Sequence, residues 1–511
     1  MDRYDQRTNK SEAMKALFFP ANKLNAVISP VYNGHKAVVS FDTDRLKDNK
    51  FELAEISLFK YNLQGTSFLN PYGVQNNENA DYSGLISKLD KTGRISFGIY
   101  VRTDSWINPV NGNLEVIPDY NATVWSSAGA AYFDVTSGTA KTARYPNHGQ
   151  QFYDLTSGRL GYDYINGVAG QSDMAESFGL IANHINYFYE LSGLTLTTGS
   201  YENGRTEIAR LLIPYMLGLR NSSYSYTGDS NIDNSAVQRL SSISRASSTR
   251  SWDAFRSNQF ASLQDALTYA AGEIDKALLS YGWFNEFMHW HSLYEQNTPE
   301  DFDTIFSAFG NATLNKDIWA AGYNEAVEYA FLRDTIDLVG SFIDGDTVVI
   351  ALGTQDRFKG TDTNGIPNNV DFSLLQTPVS IEIDLTGTPL SGKDIKCKQA
   401  YSIRKLGSNK YIINIPFIRN EESFVSARIE EGTPDYYSDG IPIVTRSGNT
   451  FLCEMPCKWV IWKKLISDPI QNIREDSRYD YANSINIDIE DNYNYYIGFI
   501  NKWRKSSLIE I

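Results

Sequence analysis

The stretch "HKAVVSFDTD", residues 35–44, decides the fold of the first half of the chain. Ala37 to Phe41 is a short β-branched run, the pattern of a buried strand. It ends in Asp42, Thr43 and Asp44. Residues 48–69 follow as "DNKFELAEISLFKYNLQGTSFL". Phe51, Ala54, Ile56 and Phe59 have helical spacing, and Gly65 to Leu69 reads as a second strand. Strand, helix and strand within about 30 residues make a βαβ unit, which implies a parallel sheet.

Working outward, residues 1–30 read as a polar N-terminal arm. Residues 31–340 read as a distorted (β/α) barrel, with an Asn-, Gly-, Ser- and Thr-rich loop insertion at about 70–145. "SDMAESFGLIANHINYFYELSG" (172–193) has helical periodicity, with Ser172 and Gly193 as caps. "LQDALTYAAGEIDKALLSYG" (263–282) reads as a helix, "GWFNEFMHWHSL" (282–293) as a strand, and "IWAAGYNEAVEYAFLRDTI" (318–336) as a closing helix. After residue 341 the texture changes. "DTVVIAL", "VSIEIDLTG", "KYIINIPF" and "SFVSARI" are strands broken by Gly, Asn and Pro turns. Residues 341–511 therefore read as an antiparallel all-β, sandwich-like domain.

Composition narrows the function. The 511 residues carry a net charge of −15. So acidic a chain is a poor ligand for phosphate backbones and is repelled by anionic membranes, which excludes a nucleic-acid partner. No stretch reaches the ~18 apolar residues of a membrane span. "MDRYDQRTNKSEAMKALFF" has no apolar core of a signal peptide, so synthesis in the cytoplasm is expected. Aromatics make up 13% of the chain, led by 32 Tyr. Core packing explains most of them, and a sugar-binding cleft is the sharper reading. Three cysteines, Cys397, Cys453 and Cys457, make no disulfide framework, and a four-thiolate zinc site is excluded within one subunit.

Several segments, taken in order, resemble the polysaccharide deacetylase (NodB-homology) superfamily. "VVSFDTD" is similar to its first motif, with Asp42 in the position of the catalytic base. "YNLQGTSFL" is similar to its next strand. "HGQQFYDLT", from His148, resembles the second motif. "LSGLTLTTGSYENGR" resembles a later turn, with Ser200, Tyr201 and Gly204 at it. "GWFNEFMHWHSL" resembles the late strand that supplies the acid, with His289 aligned best and His291 as the alternative.

The resemblance implies a divalent metal, zinc, that lowers the pKa of a bound water. Asp42 would take that water's proton and His289 would protonate the leaving amine. Asp44 and His148 would be the metal ligands, and Tyr201, Trp283 and His291 would line the sugar site. The sequence departs from the family pattern at three places. Thr43 stands where the second Asp belongs, Phe152 stands where the second His belongs, and the family's Arg-Pro-Pro-Tyr-Gly turn lacks its Arg and prolines here. Two ligands bind metal weakly, so weak zinc or none is expected.

Two functions remain open on these residues. One is a carbohydrate deacetylase that acts on acetylated surface glycans. The other is an inactive glycan-binding or structural component, with other subunits as partners. A phage virion or tail component would reconcile glycan contact with the missing export signal. A glycosidase using Glu286 or Glu325 ranks third.

Overall fold

The computed structural model of the protein describes residues 24–44, 48–69, 94–101, 105–107, 114–116, 131–134, 139–142, 151–154, 159–162, 197–201, 217–221, 246–249, 259–288, 299–354, 377–416, 424–434, 442–501 and 505–511. The helix expected at 172–193 lies outside the described residues, as do His148, His289 and His291.

The first half contains β1 (Ala26–Ile28), β2 (Ala37–Asp44), α1 (Asp48–Lys60), β3 (Gly65–Leu69) and β4 (Ile95–Val101). Six short strands follow: β5 (Ser105–Ile107), β6 (Leu114–Val116), β7 (Ala131–Asp134), β8 (Thr139–Thr142), β9 (Gln151–Asp154) and β10 (Arg159–Tyr162). Then come β11 (Thr198–Tyr201), β12 (Gly218–Asn221), β13 (Ala246–Thr249), α2 (Leu263–Ser280), β14 (Trp283–Phe287), α3 (Pro299–Thr313), β15 (Ile318–Ala320) and α4 (Tyr323–Thr335).

The βαβ reading of residues 37–69 matches β2, α1 and β3. The sheet built on it is parallel throughout, in the order β12-β11-β4-β3-β2-β14-β13. Along β2 the neighbour on one side changes partway. Ala37 to Val39 pair with β15, and Phe41 to Asp44 pair with β3. The first half is thus mixed α/β around a parallel sheet, with β12 and β13 as the outermost strands among the described residues.

α2 shows why these segments are helical. Ala266, Leu267, Ala270, Ile274 and Ala277 recur at helical spacing and are all buried. Ser262 caps the start by accepting from the amide of Asp265 at 3.1 Å. The helix stops at Tyr281, whose φ of 51° is left-handed.

Two local readings need correction. Residues 318–320 are strand β15, and the closing helix starts only at Tyr323. The β-branched Ile318 and bulky Trp319 fit the pleated edge of β2, and Gly322 breaks the chain between strand and helix. α3, over 299–313, is a helix that the sequence reading does not assign.

The second half is antiparallel. It comprises β16 (Ile336–Asp344), β17 (Thr347–Thr354), β18 (Val379–Asp384), β19 (Ile395–Cys397), β20 (Ser402–Lys405), β21 (Lys410–Ile415), β22 (Phe424–Glu431), β23 (Val444–Ser447), β24 (Thr450–Leu465), β25 (Arg474–Asn486), β26 (Tyr493–Asn501) and β27 (Ser506–Glu510). One sheet runs β1-β18-β21-β20 and another β16-β17-β22-β19. Val348, Ile350 and Leu352 of the second share a single core with Ile381, Ile383 and Ile413 of the first. That core continues through Val327, Ala330 and Phe331 of α4 to Trp283 and Trp319 beneath the parallel sheet. Residues 26–28 join the first of these sheets, because β1 pairs with β18.

A third sheet, β23-β24-β26-β27 with β25 on β24, packs against α1. Trp462 and Val460 meet Leu53, Ile56 and Phe59 there. Each such fully buried side chain contributes about 1.5 to 3 kcal/mol. Arg478 of β25 reaches Glu55 of α1 with both terminal guanidinium nitrogens, at 3.2 and 2.8 Å. The C-terminal sheet is therefore fastened to the βαβ unit by packing and by a bidentate ion pair.

Candidate functional site

Strand alternation divides the residues of β2 between two faces. Val39 and Phe41 face the helices, where the Phe41 ring lies 4.9 Å from Phe309 and 5.6 Å from Phe306 of α3. Ser40 and Asp42 face the other way. In register beside them stand Asn285, opposite Ser40, and Phe287, opposite Asp42. On the far side Thr66 is opposite Asp42. The inner face of the sheet therefore carries a polar layer near the C-terminal ends of its strands.

Asp42 is wholly buried. Its Oδ1 lies 3.0 Å from Nε of Arg220, which is equally buried. Its Oδ2 accepts a hydrogen bond from Nδ2 of Asn285 at 2.6 Å. Arg220 also donates from Nη2 to Oγ of Ser200 at 2.6 Å. The guanidinium stacks 3.8 Å from the ring centre of Phe287 and 5.0 Å from that of Phe68. Asn285 is fixed in turn, because its Oδ1 accepts from Ser40 at 2.6 Å, and Ser40 accepts from the Trp283 indole at 2.8 Å. The chain Trp283, Ser40, Asn285, Asp42, Arg220 and Ser200 is one connected network.

Register explains how so long a path closes. Ser200 of β11 pairs with Arg220 of β12, and Asn285 of β14 pairs with Ser40 of β2. Arg220 bridges from one part of the sheet to the other across its concave face. Desolvating a carboxylate and a guanidinium is expensive unless each finds a partner, and here they find each other.

The expected site residues divide as follows. Asp42 is brought into a site with Arg220, Asn285 and Ser200. Asp44 pairs with Phe68 along the backbone, and Tyr201 sits between Val101 and Asn221 at the end of β11. Trp283 is 1% exposed, packs 4.9 Å from the Tyr323 ring and belongs to the common core. It holds Ser40 in place and offers no open face for a sugar ring, which corrects its reading as a cleft residue.

One of the two glutamates considered for glycosidase chemistry lies off the Asp42 face, and the other is a helix cap. Glu286 stands in register with Phe41, on the helix side. Glu325 caps α4, accepting from the Gly322 amide at 2.8 Å.

Phe152, in the segment that resembles the second motif, lies in β9. That strand pairs with β7 and β10 in a small antiparallel sheet separate from the parallel one. Thr43 is buried and alternates onto the face opposite Asp42. Among the described residues no three His, Cys, Asp or Glu side chains gather as metal ligands. Asp42 engages a guanidinium and an amide here, and His148 lies outside the described residues.

Arg220 and Asn285 were not singled out in the sequence. Arg220 ends the apolar run "LLIPYMLGLR", and a cation in such a run is buried only when paired. That was the available signal.

No protein-family model matches the chain, and no curated protein matches it. Solved structures do align. One described as a polysaccharide deacetylase from Mycobacterium smegmatis aligns over 60% of this chain and 96% of its own, at 9% identity and a TM-score of 0.30. The family 4 carbohydrate esterase from Streptomyces lividans, in complex with acetate, aligns over 57% and 93%, at 8% identity and a TM-score of 0.28. Among the described residues no helix is long and apolar enough to cross a membrane.

Proposed function

We propose that this chain is a glycan-binding protein on a deacetylase-type barrel, in which Asp42 secures the inner face instead of taking a proton from water. The observation that carries this reading is the buried Asp42–Arg220 pair. A general base needs an oxygen free to accept a proton in the transition state. Asp42 already accepts from Asn285 and is neutralised by Arg220. The order of the sequence segments supports the barrel, and the all-parallel sheet agrees with it.

Glycan recognition would fall to side chains above this layer, at the C-terminal ends of the strands, where βα folds carry their sites. Tyr201, at the end of β11, is the aromatic we assign to sugar stacking. Acetyl hydrolysis is the second reading, favoured by the place of Asp42 near the C-terminal end of β2.

Calorimetric titration with acetylated chito- and xylo-oligosaccharides tests the binding reading. Saturable binding to at least one, weakened about tenfold by Tyr201→Ala, is expected. No binding to any acetylated glycan, or binding indifferent to every aromatic at the strand ends, would overturn it.

A further inference from the structure

Away from this site, three sulfur side chains share one face of β24. In "CEMPC", Cys453, Met455 and Cys457 are 6%, 7% and 0% exposed, while Glu454 between them is exposed. Residues four apart on a regular strand are separated by about 13 Å, beyond the reach of any disulfide. Yet Sγ of Cys453 lies 3.6 Å from Sγ of Cys457.

The register explains the approach. Between Leu452 and Cys457, β24 advances five residues while β25 advances two, from Ser484 to Ala482. The three surplus residues form a bulge, and the cysteines flank it. Pro456 lies inside the bulge, where a residue without an amide proton loses no ladder bond. The bulge is held on both sides. Cys453 pairs with Val444 of β23, and Cys457 pairs with Asn501 of β26, whose Nδ2 lies 3.4 Å from Sδ of Met455.

We propose that Cys453 and Cys457 are an oxidation site, a dithiol that closes to an intrastrand disulfide across the β24 bulge on reaction with a peroxide. One sulfur attacks a peroxide oxygen, the O–O bond breaks, and a sulfenic acid and one water result. The second sulfur then attacks the first, the S–S bond forms, and the sulfenic oxygen leaves as a second water with the remaining thiol proton. Two S–H bonds are lost, the sulfurs together give up two electrons, and the peroxide takes them.

Closing the bond needs the sulfurs to move from 3.6 Å to about 2.05 Å. The product is neutral and apolar, so it suits the surrounding cluster of Phe451, Trp459 and Ile497. Burial, reinforced by the neighbouring Cys453, pushes the Cys457 thiol well above its ordinary range. Closure therefore speeds up as pH rises. Cys397 lies on β19 in another sheet and serves as an internal control.

The experiment treats the folded full chain with hydrogen peroxide, counts thiols after non-reducing denaturation and maps the peptides by mass. The thiol count should fall from three to one. A peptide joining Cys453 to Cys457 should appear and should vanish with dithiothreitol. Cys397→Ser should still lose two thiols, whereas Cys453→Ser and Cys457→Ala should lose none as a disulfide. Survival of all three thiols at peroxide levels that oxidise a free cysteine peptide would overturn the proposal. So would a cross-link to Cys397, or sulfinic acid at Cys453 in place of the disulfide.

Discussion

Nε of Arg220 lies 3.0 Å from Oδ1 of Asp42, and neither side chain reaches solvent. Removing one member of such a pair leaves a buried charge without compensation, which costs about 3 to 5 kcal/mol. Arg220→Ala and Asp42→Asn should each lower the urea midpoint by that equivalent. The double variant Asp42→Asn with Arg220→Met removes both charges and keeps bulk between Phe68 and Phe287. It should be more stable than either single variant. Losses that simply add would show that the two side chains are not coupled.

The seam between α1 and the C-terminal sheet rests on Trp462, fully buried and 5.6 Å from the Phe59 ring. We predict that Trp462→Ala destabilises by about 3 to 5 kcal/mol, from lost contacts and the cavity left behind. Thermal unfolding followed by calorimetry reads this. A change under about 1 kcal/mol would mean that the sheet is not fastened there.

α4 enters the sheet's inner face through Gly322. A Cβ at this position would collide with Oγ of Ser96 and lie 3.1 Å from Oγ1 of Thr66. Thr66 also accepts from the Tyr323 amide at 2.7 Å. Gly322→Ala should cost about 1 to 3 kcal/mol by overpacking, and Ser96→Ala in the same chain should recover part of it. Denaturant titration of the two variants decides.

Acid should weaken the fold from about pH 6.5 downward. Burial lowers His35 to about 4, although its hydrogen bond to Asp317 at 2.8 Å opposes the shift. Burial pushes Asp317 up, but the bonds from His35 and Arg404 outweigh it and bring Asp317 to about 2. In both cases the unfolded chain binds more protons than the folded one, so stability rises with pH. The His35 contribution fades between about pH 6.5 and 4, by up to about 3 kcal/mol. The Asp317 contribution fades below about pH 3.8. His35→Gln should flatten the upper part of the profile, and an unchanged slope between pH 6.5 and 4 would contradict this.

Local pattern revealed the βαβ unit well, because residues 37–69 obey one period at a time and lie next to each other in the sheet. The strands after residue 341 were legible for the same reason. Asp42 was singled out through the order of segments along the chain. Its partner was not, because Arg220 lies 178 positions away and only the pairing of β12 with β11 brings it across. β15 was missed because three residues are too few to display a period, and its strand state comes from tertiary pairing with β2. Trp283 was read as a cleft aromatic because composition does not distinguish a ring at the base of a strand from one at its end.

Acetate release measures the role of Asp42 directly. Wild-type protein, with and without added zinc, is incubated with acetylated chitin and xylan fragments, and acetate is quantified by an enzyme-coupled assay. If Asp42 is a structural anion held by Arg220 and Asn285, acetate stays at the level of the protein-free control in both conditions. Release that scales with protein concentration, and is lost in the folded Asp42→Asn, Arg220→Met double variant, would make Asp42 a catalytic base.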